Sequence, residues 1–453
     1  MVIHLSIIVA TILLMYRRTL GYTYVIDDVE VVKPKDQETK NKYKRVWEHL
    51  MGWKYTDNRL AHMMSTLLHT TNCILIYFAF GHNNISFLTA LLFGLNPVTN
   101  QSALWLSGKP YAYSTTLALL GMIYLPLMPV VYGFCMHFTS NTMLLPLLFL
   151  VKKPHWYFIL LPLIGFLCSK KFRTAYKARI EGGSDEMVKP NPKKLILVCK
   201  TFGYYFRHCL IPIRLGMCHS YLHTFGLTEK ESSQWYKIDK YFWLGLSLFA
   251  LGAYSFFHAS NQVAYGFLWF LFLTVQWCNF IMVNHPITER YIYLPTIGLM
   301  YALANVVIGT PFMWVFLTFY AVRLHYFIPA YTDMISFWKS NTENFPNVAM
   351  GYNQYGLGLI QFGNTGSAID TLIKGVQQRP HDFRINYNLA NIMLATGNTQ
   401  QAVGFLKTAE VNLEKKNNYQ FWVEQMNKLK DEIKKRGIDY EHSVLAAPAG
   451  SKA

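Results

Sequence analysis

The sequence predicts an all-α polytopic membrane protein of about eleven transmembrane helices, followed by a short α-solenoid of tetratricopeptide repeats. Three observations support this fold class. The 453-residue chain is 52% apolar and only 15% charged, whereas soluble domains carry about 25% charged residues. Long apolar runs recur from the N-terminus to the region around Ile328. Beyond them, the sequence contains an internal repeat.

Composition also excludes several classes of protein. So few charged side chains cannot cover the surfaces of two or three soluble domains, and the chain is too apolar to be disordered. The seven cysteines occur singly, without a Cys-x-x-Cys motif, which argues against a disulfide framework and a zinc site. The net charge of +17 lies in short blocks between apolar runs, so lipid headgroups or a lipid phosphate are expected partners and nucleic acid is not.

The membrane domain is predicted to occupy residues 1–330. Its first apolar run ends at Arg17-Arg18, the reverse of the charge order in a cleaved signal peptide, so we expect an uncleaved span. Between the spans, residues 17–61 form a first extracytoplasmic loop, and residues 169–240 form a basic loop with an amphipathic segment. The predicted spans are 2–16, 62–80, 85–95, 111–125, 128–138, 142–151, 155–168, 241–258, 262–283, 293–308 and 311–328.

Charge does not by itself orient these spans. An odd number of spans puts the two termini on opposite sides of the membrane. Residues 170–200 hold nine Lys and Arg against three acidic residues, a net charge of +6. One interpretation is that this charge faces an anionic ligand on the extracytoplasmic side. The alternative is that the span count is off by one and the loop is cytoplasmic.

The repeat follows the last span, over residues 331–440. An offset of 34 relates Pro346 to Pro380, and it also relates the Gly-Asn-Thr triplet at 363–365 to that at 397–399. A Gly-Asn turn between helices with this period is typical of tetratricopeptide repeats. Such repeats bind peptides or proteins, and the alternative is a brace for the membrane domain. Residues 441–453 are predicted to be a disordered tail.

Two adjacent carboxylates, Asp27 and Asp28, follow the first span. Carboxylates beside a membrane helix are costly to leave unpaired, and one of them can deprotonate an acceptor hydroxyl while the other orients it. The alternative is a solvated acidic loop. The pair alone does not decide between these interpretations, but its context does.

That context is a series of motifs, and the series resembles the transmembrane-and-tetratricopeptide O-mannosyltransferases, which belong to the GT-C class of glycosyltransferases. The resemblance covers nearly the whole chain, and Glu-Arg-Tyr-Ile-Tyr-Leu-Pro is its most specific part. The motifs are Asp27-Asp28, Leu-Leu-His-Thr-Thr-Asn at 67–72, Asn-Pro-Val-Thr-Asn-Gln-Ser-Ala-Leu-Trp-Leu-Ser-Gly-Lys at 96–109, Gly-Tyr-Tyr-Phe-Arg at 203–207 and Glu-Arg-Tyr-Ile-Tyr-Leu-Pro at 289–295.

The resemblance implies an inverting transfer of a mannose-like sugar from a polyprenyl phosphate to a protein or glycan hydroxyl. It implies an integral protein of the plasma or inner membrane or the endoplasmic reticulum, with the repeats extracytoplasmic. The family's acidic pair maps onto Asp27 and Asp28, its Ser-Gly-basic element onto residues 107–109, and its Glu-Arg pair onto residues 289–290. We expect Asp27 to be the catalytic base with Asp28 as its partner, and Arg290 and Lys109 to contact the donor phosphate.

Further residues are predicted to support this site. Arg207 and Arg59 are additional candidates for phosphate contact, although both also suit ordinary surface charges. Glu289, His285 and Tyr291 are supporting residues; the alternative for the neighbouring Arg290 is an ion pair with Glu289 or snorkelling at a helix end.

No metal ion or other cofactor is expected, and the lipid-linked sugar is a substrate. His62 and His69 share a helix face, but no carboxylate completes a set of ligands at helical spacing.

One departure from the family pattern leaves other functions open. Where many relatives carry Ser-Lys-Glu, this chain reads Thr-Ser-Asn-Thr at 139–142. The loss of those charges favours a second hypothesis, a catalytically degenerate membrane scaffold that binds a partner through its repeats. A lipid or solute transporter is a third hypothesis. Against it, the charges gather at one membrane face and no paired, interrupted half-repeats are found.

Overall fold

A computed structural model describes residues 1–26, 28, 57–139, 142–152, 160–161, 192–217, 219, 221–222, 233–258, 261–279, 286–413, 419–438 and 440. Within these ranges the protein is all-α, as predicted, with α-helices joined by short turns and 3-10 segments and with no strand. Most of the first loop, most of the basic loop and the predicted tail lie outside the described residues.

The helices of the first part of the chain follow the predicted apolar runs closely. The runs at 2–16 and 128–138 each coincide with a helix, and most of the others differ from theirs by only a few positions at an end. Most of the run at 155–168 lies outside the described residues. The helices are Val2–Tyr16, Asn58–Ala79, Asn84–Leu95, Asn100–Ala103, Lys109–Ile123, Met128–Phe138, Leu145–Lys152, Lys194–Leu210, Lys240–Phe257, Gln262–Val275, Tyr293–Val307 and Pro311–Phe327.

Side-chain caps explain where several of these helices begin. Asp57, Asp239 and Asn261 each accept hydrogen bonds from backbone N–H groups of the first turn that follows. Asn83 and Ser86 form a reciprocal capping box. Such caps satisfy N–H groups that have no partner inside the helix.

By length and composition, two stretches are long and apolar enough to cross a membrane, Val2–Gly21 and Pro311–Tyr331. Other apolar helices in the described ranges are shorter, including Asn84–Leu95 and Gln262–Val275. The eleven predicted spans therefore stay a prediction.

Close helix packing occurs where small residues face each other. A Cβ added to Gly298 would lie 2.5 Å from the carbonyl oxygen of Gly266 and would clash with the side chain of Trp269. The backbones of helices Gln262–Val275 and Tyr293–Val307 are thus in direct contact at this crossing. The indole Nε1 of Trp269 donates to the carbonyl of Leu294 at 2.9 Å across this contact.

The second part of the chain contains successive helices in hairpin order. An offset of 34 relates the start of helix Ala349–Gln361 to that of Phe383–Ala395, and the start of Thr365–Gln378 to that of Thr399–Val411. The turns contain Gly363 and Gly397, whose φ angles of +75° and +87° favour glycine. The remaining helices are Met334–Asn344 and Tyr419–Lys435.

Side chains at equivalent positions, 34 residues apart, are buried in the same hydrophobic cluster. Ala368 and Ala402 are fully buried, as are Leu372 and Leu406. They belong to a hydrophobic cluster that runs from Ala349 to Tyr440, whereas a separate cluster covers the chain up to Val348.

Candidate functional site

The first-loop acidic motif contacts the Ser-Gly-Lys motif directly. The Asp28 carboxylate is buried and accepts hydrogen bonds from the backbone N–H groups of Leu106 and Ser107, both at 2.9 Å. It also accepts one from the Ser107 hydroxyl at 2.6 Å. Burial, together with the charge of Asp28, raises the pKa of the nearby Tyr24. Asp28 therefore fixes the 3-10 turn Leu106–Gly108 against the first loop.

Lys109 follows this turn and is fully buried. Its ammonium donates to the carbonyl of Ala61 at 3.2 Å and interacts electrostatically with Asp28. Gly108 allows the turn to pack tightly, since a Cβ there would clash with the carbonyl of Gln101. The Ser-Gly-Lys motif is thus held by Asp28 on one side and by Gln101 on the other.

Gln101 connects this region to the Glu-Arg motif. Its side-chain amide donates to the carbonyl of Gly216 at 3.0 Å. Its Oε1 accepts from the Thr288 hydroxyl at 2.7 Å and from the backbone N–H of Arg290 at 3.2 Å. Gln101 lies within the motif at 96–109, but nothing in the sequence distinguished its role from that of its neighbours.

Arg290 is half-buried between aromatic rings. Its guanidinium carbon lies 5.0 Å from the Trp105 ring centroid and 5.1 Å from that of Tyr291, and it also interacts with Tyr111. Its Nη1 donates to Thr288 at 3.2 Å. A cation over an aromatic face is stabilised by the ring quadrupole. Trp277 stacks on Tyr291 at 4.1 Å and supports this arrangement.

Glu289 turns away from Arg290, so the two residues do not form the ion pair that was one alternative. Its Oε1 accepts from the backbone N–H of Gly216 at 2.9 Å and lies 3.3 Å from Nε2 of His208 and 3.4 Å from Nε2 of His219. Burial alone would raise the pKa of Glu289, but the two imidazoles outweigh it and hold this pKa below its ordinary value.

The structure also describes Arg59 and Arg207, which are predicted to contact the donor phosphate. Arg59 is exposed in the first turn of its helix, where its backbone N–H donates to Asp57 at 2.8 Å. Arg207 is half-buried beside His208 and interacts electrostatically with it. In the described part of the chain, neither makes a hydrogen bond or ion pair with Asp28, Lys109 or Arg290. Asp27 and His285 lie outside the described residues.

His62 and His69 have separate partners. The imidazole of His62 lies 3.1 Å from the carbonyl of Thr23. That of His69 lies 2.7 Å from the Tyr293 hydroxyl and 3.3 Å from the carbonyl of Gly94. Both ring nitrogens of His69 are thus paired locally, whereas Nδ1 of His62 is buried without a partner. The expectation that the site uses no metal stays a prediction.

Sequence reasoning missed His208 and His219. They are 11 positions apart, but helix Lys194–Leu210 ends between them, and both lie far from Glu289 along the chain. No spacing rule therefore connects the three residues. Glu289 belongs to the most specific motif, and it supplied the one available signal.

Comparisons of this chain with protein-family models, with curated proteins and with solved structures found no match.

In chemical terms, the site combines a half-buried cation framed by aromatic rings with a carboxylate that braces a tight turn. Fixed cations in poorly hydrated surroundings stabilise developing negative charge. A planar guanidinium matches the oxygens of a phosphate. Arg290 is therefore the candidate in this site to contact an anionic group.

Proposed function

We propose that this protein is a membrane glycosyltransferase of the GT-C type, which transfers a mannose-like sugar from a polyprenyl phosphate to a hydroxyl of a protein or glycan. One observation carries the proposal: three distant motifs are connected through hydrogen bonds. Asp28 bonds to Ser107, 79 positions away, and Gln101 bonds to Arg290, 189 positions away. These motifs are the ones on which the family resemblance rests.

The proposal includes a membrane domain of about eleven spans. Outward-facing side chains of the apolar helices support it, because Tyr254, Phe257, Phe312 and Trp314 are all exposed. Large apolar surfaces of this kind mark contact with lipid or with another protein. A lipid-linked donor needs such surroundings, since its tail remains in the bilayer while its phosphate enters a polar site.

Each residue has a specific role in the proposed reaction. The acceptor hydroxyl oxygen attacks the anomeric carbon from the side opposite the phosphate, while Asp27 takes the hydroxyl proton. The bond from the anomeric carbon to the phosphate oxygen breaks, and the polyprenyl phosphate leaves with the electron pair. Arg290 stabilises the charge of the leaving phosphate. Asp28 acts as a positioning residue that holds the turn before Lys109.

Backbone geometry next to Asp27 supports a functional role for this loop. Ile26 has a φ angle of +56°, in the left-handed region. This conformation is rare for a β-branched residue, and such strain clusters at functional sites. The fold therefore holds the chain in a costly conformation immediately before the proposed base.

The helices after residue 333 are proposed to be tetratricopeptide repeats on the extracytoplasmic side that dock the acceptor protein. Their regular spacing and glycine turns support this assignment. A cavity of about 410 Å³ lies among them, lined in part by Lys339, Lys374, Glu343 and Asp370. Charges of both signs beside the tyrosines of this cavity suit a polar peptide segment.

The absence of the Lys-Glu pair favours a second candidate function. Residues 139–142 contain no charge, so a cation and a carboxylate that many relatives carry are absent. In this alternative the chain is a scaffold without transferase activity, and the repeats bind a partner stably.

Two variants test the proposed function. The full-length protein, reconstituted in liposomes with a radiolabelled polyprenyl-phosphate mannose and a membrane protein extract as acceptor, should label protein. Asp27→Asn should abolish transfer, and Arg290→Gln should lower the rate by about 10²–10³-fold.

Matched controls come from the same chain. Asp57→Asn removes another carboxylate near the first loop, and Arg323→Gln removes another half-buried arginine, which bonds to the carbonyls of Pro212 and Ile213. Both should retain transfer. Full activity in Asp27→Asn would refute its role as base. A folded wild-type protein that transfers no sugar and co-purifies with a stoichiometric partner would support the scaffold.

A further inference from the structure

Three metal-ligating side chains meet in a buried position next to the proposed transfer site. His208 is near the end of helix Lys194–Leu210, His219 lies in the segment that follows, and Glu289 begins a 3-10 turn. All three side chains are 0% exposed. One potential ligand atom from each lies within 4.8 Å of the others.

Two of the three separations in this group match those around a tetrahedral metal ion, and the third, between the two imidazoles, is below 4.8 Å. Ligand atoms about 2.1 Å from zinc, at the corners of a tetrahedron, lie about 3.4 Å from each other. Glu289 Oε1 is 3.3 Å from His208 Nε2 and 3.4 Å from His219 Nε2. These separations are long for hydrogen bonds between a carboxylate and an imidazole.

Hydrogen bonding in the surroundings also favours a bound cation. Nδ1 of His219 lies 2.9 Å from the Tyr204 hydroxyl, and its Nε2 has no hydrogen-bond partner. When Nδ1 donates to Tyr204, the Nε2 lone pair faces the Glu289 carboxylate. His219 is thus oriented as metal-ligating histidines usually are, by a bond from the outer nitrogen, whereas the outer Nδ1 of His208 is buried without a partner. Oε2 of Glu289 is buried without a partner as well.

Other polar groups stand close to the trio without hydrogen-bond partners. The Tyr331 hydroxyl is buried, has no hydrogen-bond partner and interacts electrostatically with Glu289. Both side-chain polar atoms of Asn341 are buried and unpaired, and its Nδ2 lies 2.5 Å from the position of a Cβ on Gly216. Buried polar groups in native proteins are normally paired, so this accumulation points to a ligand.

We propose that His208, His219 and Glu289 bind a divalent first-row transition-metal ion, with zinc as the best fit. Two imidazoles and one carboxylate are ligands that suit zinc rather than magnesium or calcium. The unpaired Asn341 and Tyr331 side chains are candidates to contact the ion or a water molecule bound to it. The ion would join the end of helix Lys194–Leu210 to the turn that carries Arg290. This site does not depend on the transferase function.

Metal content and thermal stability test the proposal in the full-length protein. The chain is purified in mild detergent without a polyhistidine tag, stripped with a chelator, incubated with ZnCl₂ and freed of excess ion. Wild-type protein should retain about one zinc ion per chain, in line with three-ligand sites, and zinc should raise its melting temperature. Cobalt in place of zinc should give the intense visible absorption of a tetrahedral site.

Histidine variants assign the site. His219→Ala should lose the stoichiometric zinc and the thermal shift, whereas His69→Ala removes another fully buried histidine and should retain both. Elution as a single species in size-exclusion chromatography verifies folding of each variant. The cobalt spectrum of the wild type tests the site even if a variant does not fold. Substoichiometric zinc without a thermal shift in the wild type would overturn the proposal. Equal zinc retention in folded His219→Ala would do so too, because the ion would then be bound elsewhere.

Discussion

The Asp28 carboxylate accepts two hydrogen bonds from Ser107, one from its backbone N–H at 2.9 Å and one from its hydroxyl at 2.6 Å. The residues are 79 positions apart, yet both belong to motifs that the sequence singled out. Asp28 thereby acts as a cap for a turn in a distant part of the chain. Asp28, the second carboxylate of the acidic pair, therefore has a structural role, whereas Asp27 is the proposed base.

A double-mutant cycle should measure this contact. Asp28→Asn should lower the free energy of unfolding by about 1.5–3 kcal/mol, because hydrogen bonds to a charged group are lost in a buried position. Ser107→Ala should cost less, and the double variant should cost less than the sum. Denaturant titration in detergent provides the measurement. Strictly additive effects would show that the two side chains do not interact in solution.

Close backbone contact at Gly298 leads to a second prediction. Gly298→Ala should destabilise the protein, because its Cβ would lie 2.5 Å from the Gly266 carbonyl oxygen and the two helices would have to separate. Gly133→Ala is the matched control, since a Cβ there meets nothing within 4 Å in another helix. Melting temperatures in detergent should fall for Gly298→Ala alone. Equal melting temperatures would contradict the packing at this crossing.

Burial of Leu372 and Leu406 gives a third prediction. Both are fully buried, and they occupy equivalent positions in the two repeats. Truncation of either to alanine should therefore cost about 2–5 kcal/mol of unfolding free energy. Phe362→Ala removes a larger side chain that is 68% exposed, and its effect should stay within about 0.5 kcal/mol. Chemical denaturation followed by circular dichroism would reveal the difference, and similar costs for all three variants would argue against the repeat core.

Acid should weaken the cap at Asp239. Burial by itself raises the pKa of this carboxyl. The carboxylate accepts hydrogen bonds from the Tyr221 hydroxyl at 2.6 Å and the Phe242 N–H at 3.1 Å, and it pairs with Lys200. These contacts outweigh burial, so the pKa of Asp239 lies below its ordinary value. The ionised form therefore stabilises the fold. This stabilisation is complete above the ordinary aspartate pKa of about 3.9 and is lost as pH falls through the lower folded-state value.

Melting temperatures of the wild type and Asp239→Asn, compared over a range of pH, measure this effect. The wild type should be more stable near neutral pH, and the gap should close in acid. Asp370→Asn, at an exposed carboxylate, serves as control. A gap that does not change with pH would contradict the assigned role of the ionised carboxylate.

Helix positions were largely predictable, because apolar runs bounded by Pro, Asn and Gly determine where helices begin and end. The run at 128–138 matches its helix, and the offset of 34 reappears in helix starts. Whether each helix crosses a membrane was harder to predict from the sequence. Several apolar helices are shorter than the roughly 20 residues that a straight span requires, so length and composition single out only some of them.

The family resemblance assigned Asp28, Ser107 and Arg290 to motifs of one predicted site, but it did not predict which atoms would meet. Gln101 joins the motifs through a side chain that no composition rule distinguishes from its neighbours. The N–H of Gly216, which lies between His208 and His219 in the chain, donates to the Glu289 oxygen that both imidazoles approach. Tertiary geometry of this kind leaves no periodic signal in a sequence.

Binding of polyprenyl phosphate at Arg290 tests the central claim most directly. A cryo-electron microscopy map of the full-length protein with added polyprenyl phosphate should show a phosphate-sized head against the guanidinium beside Trp105, with an elongated tail running into the detergent. Arg290→Gln should lose this density. Side chains that fill the space in the presence of the lipid, with a partner chain bound to the repeats, would contradict the transferase and support the scaffold.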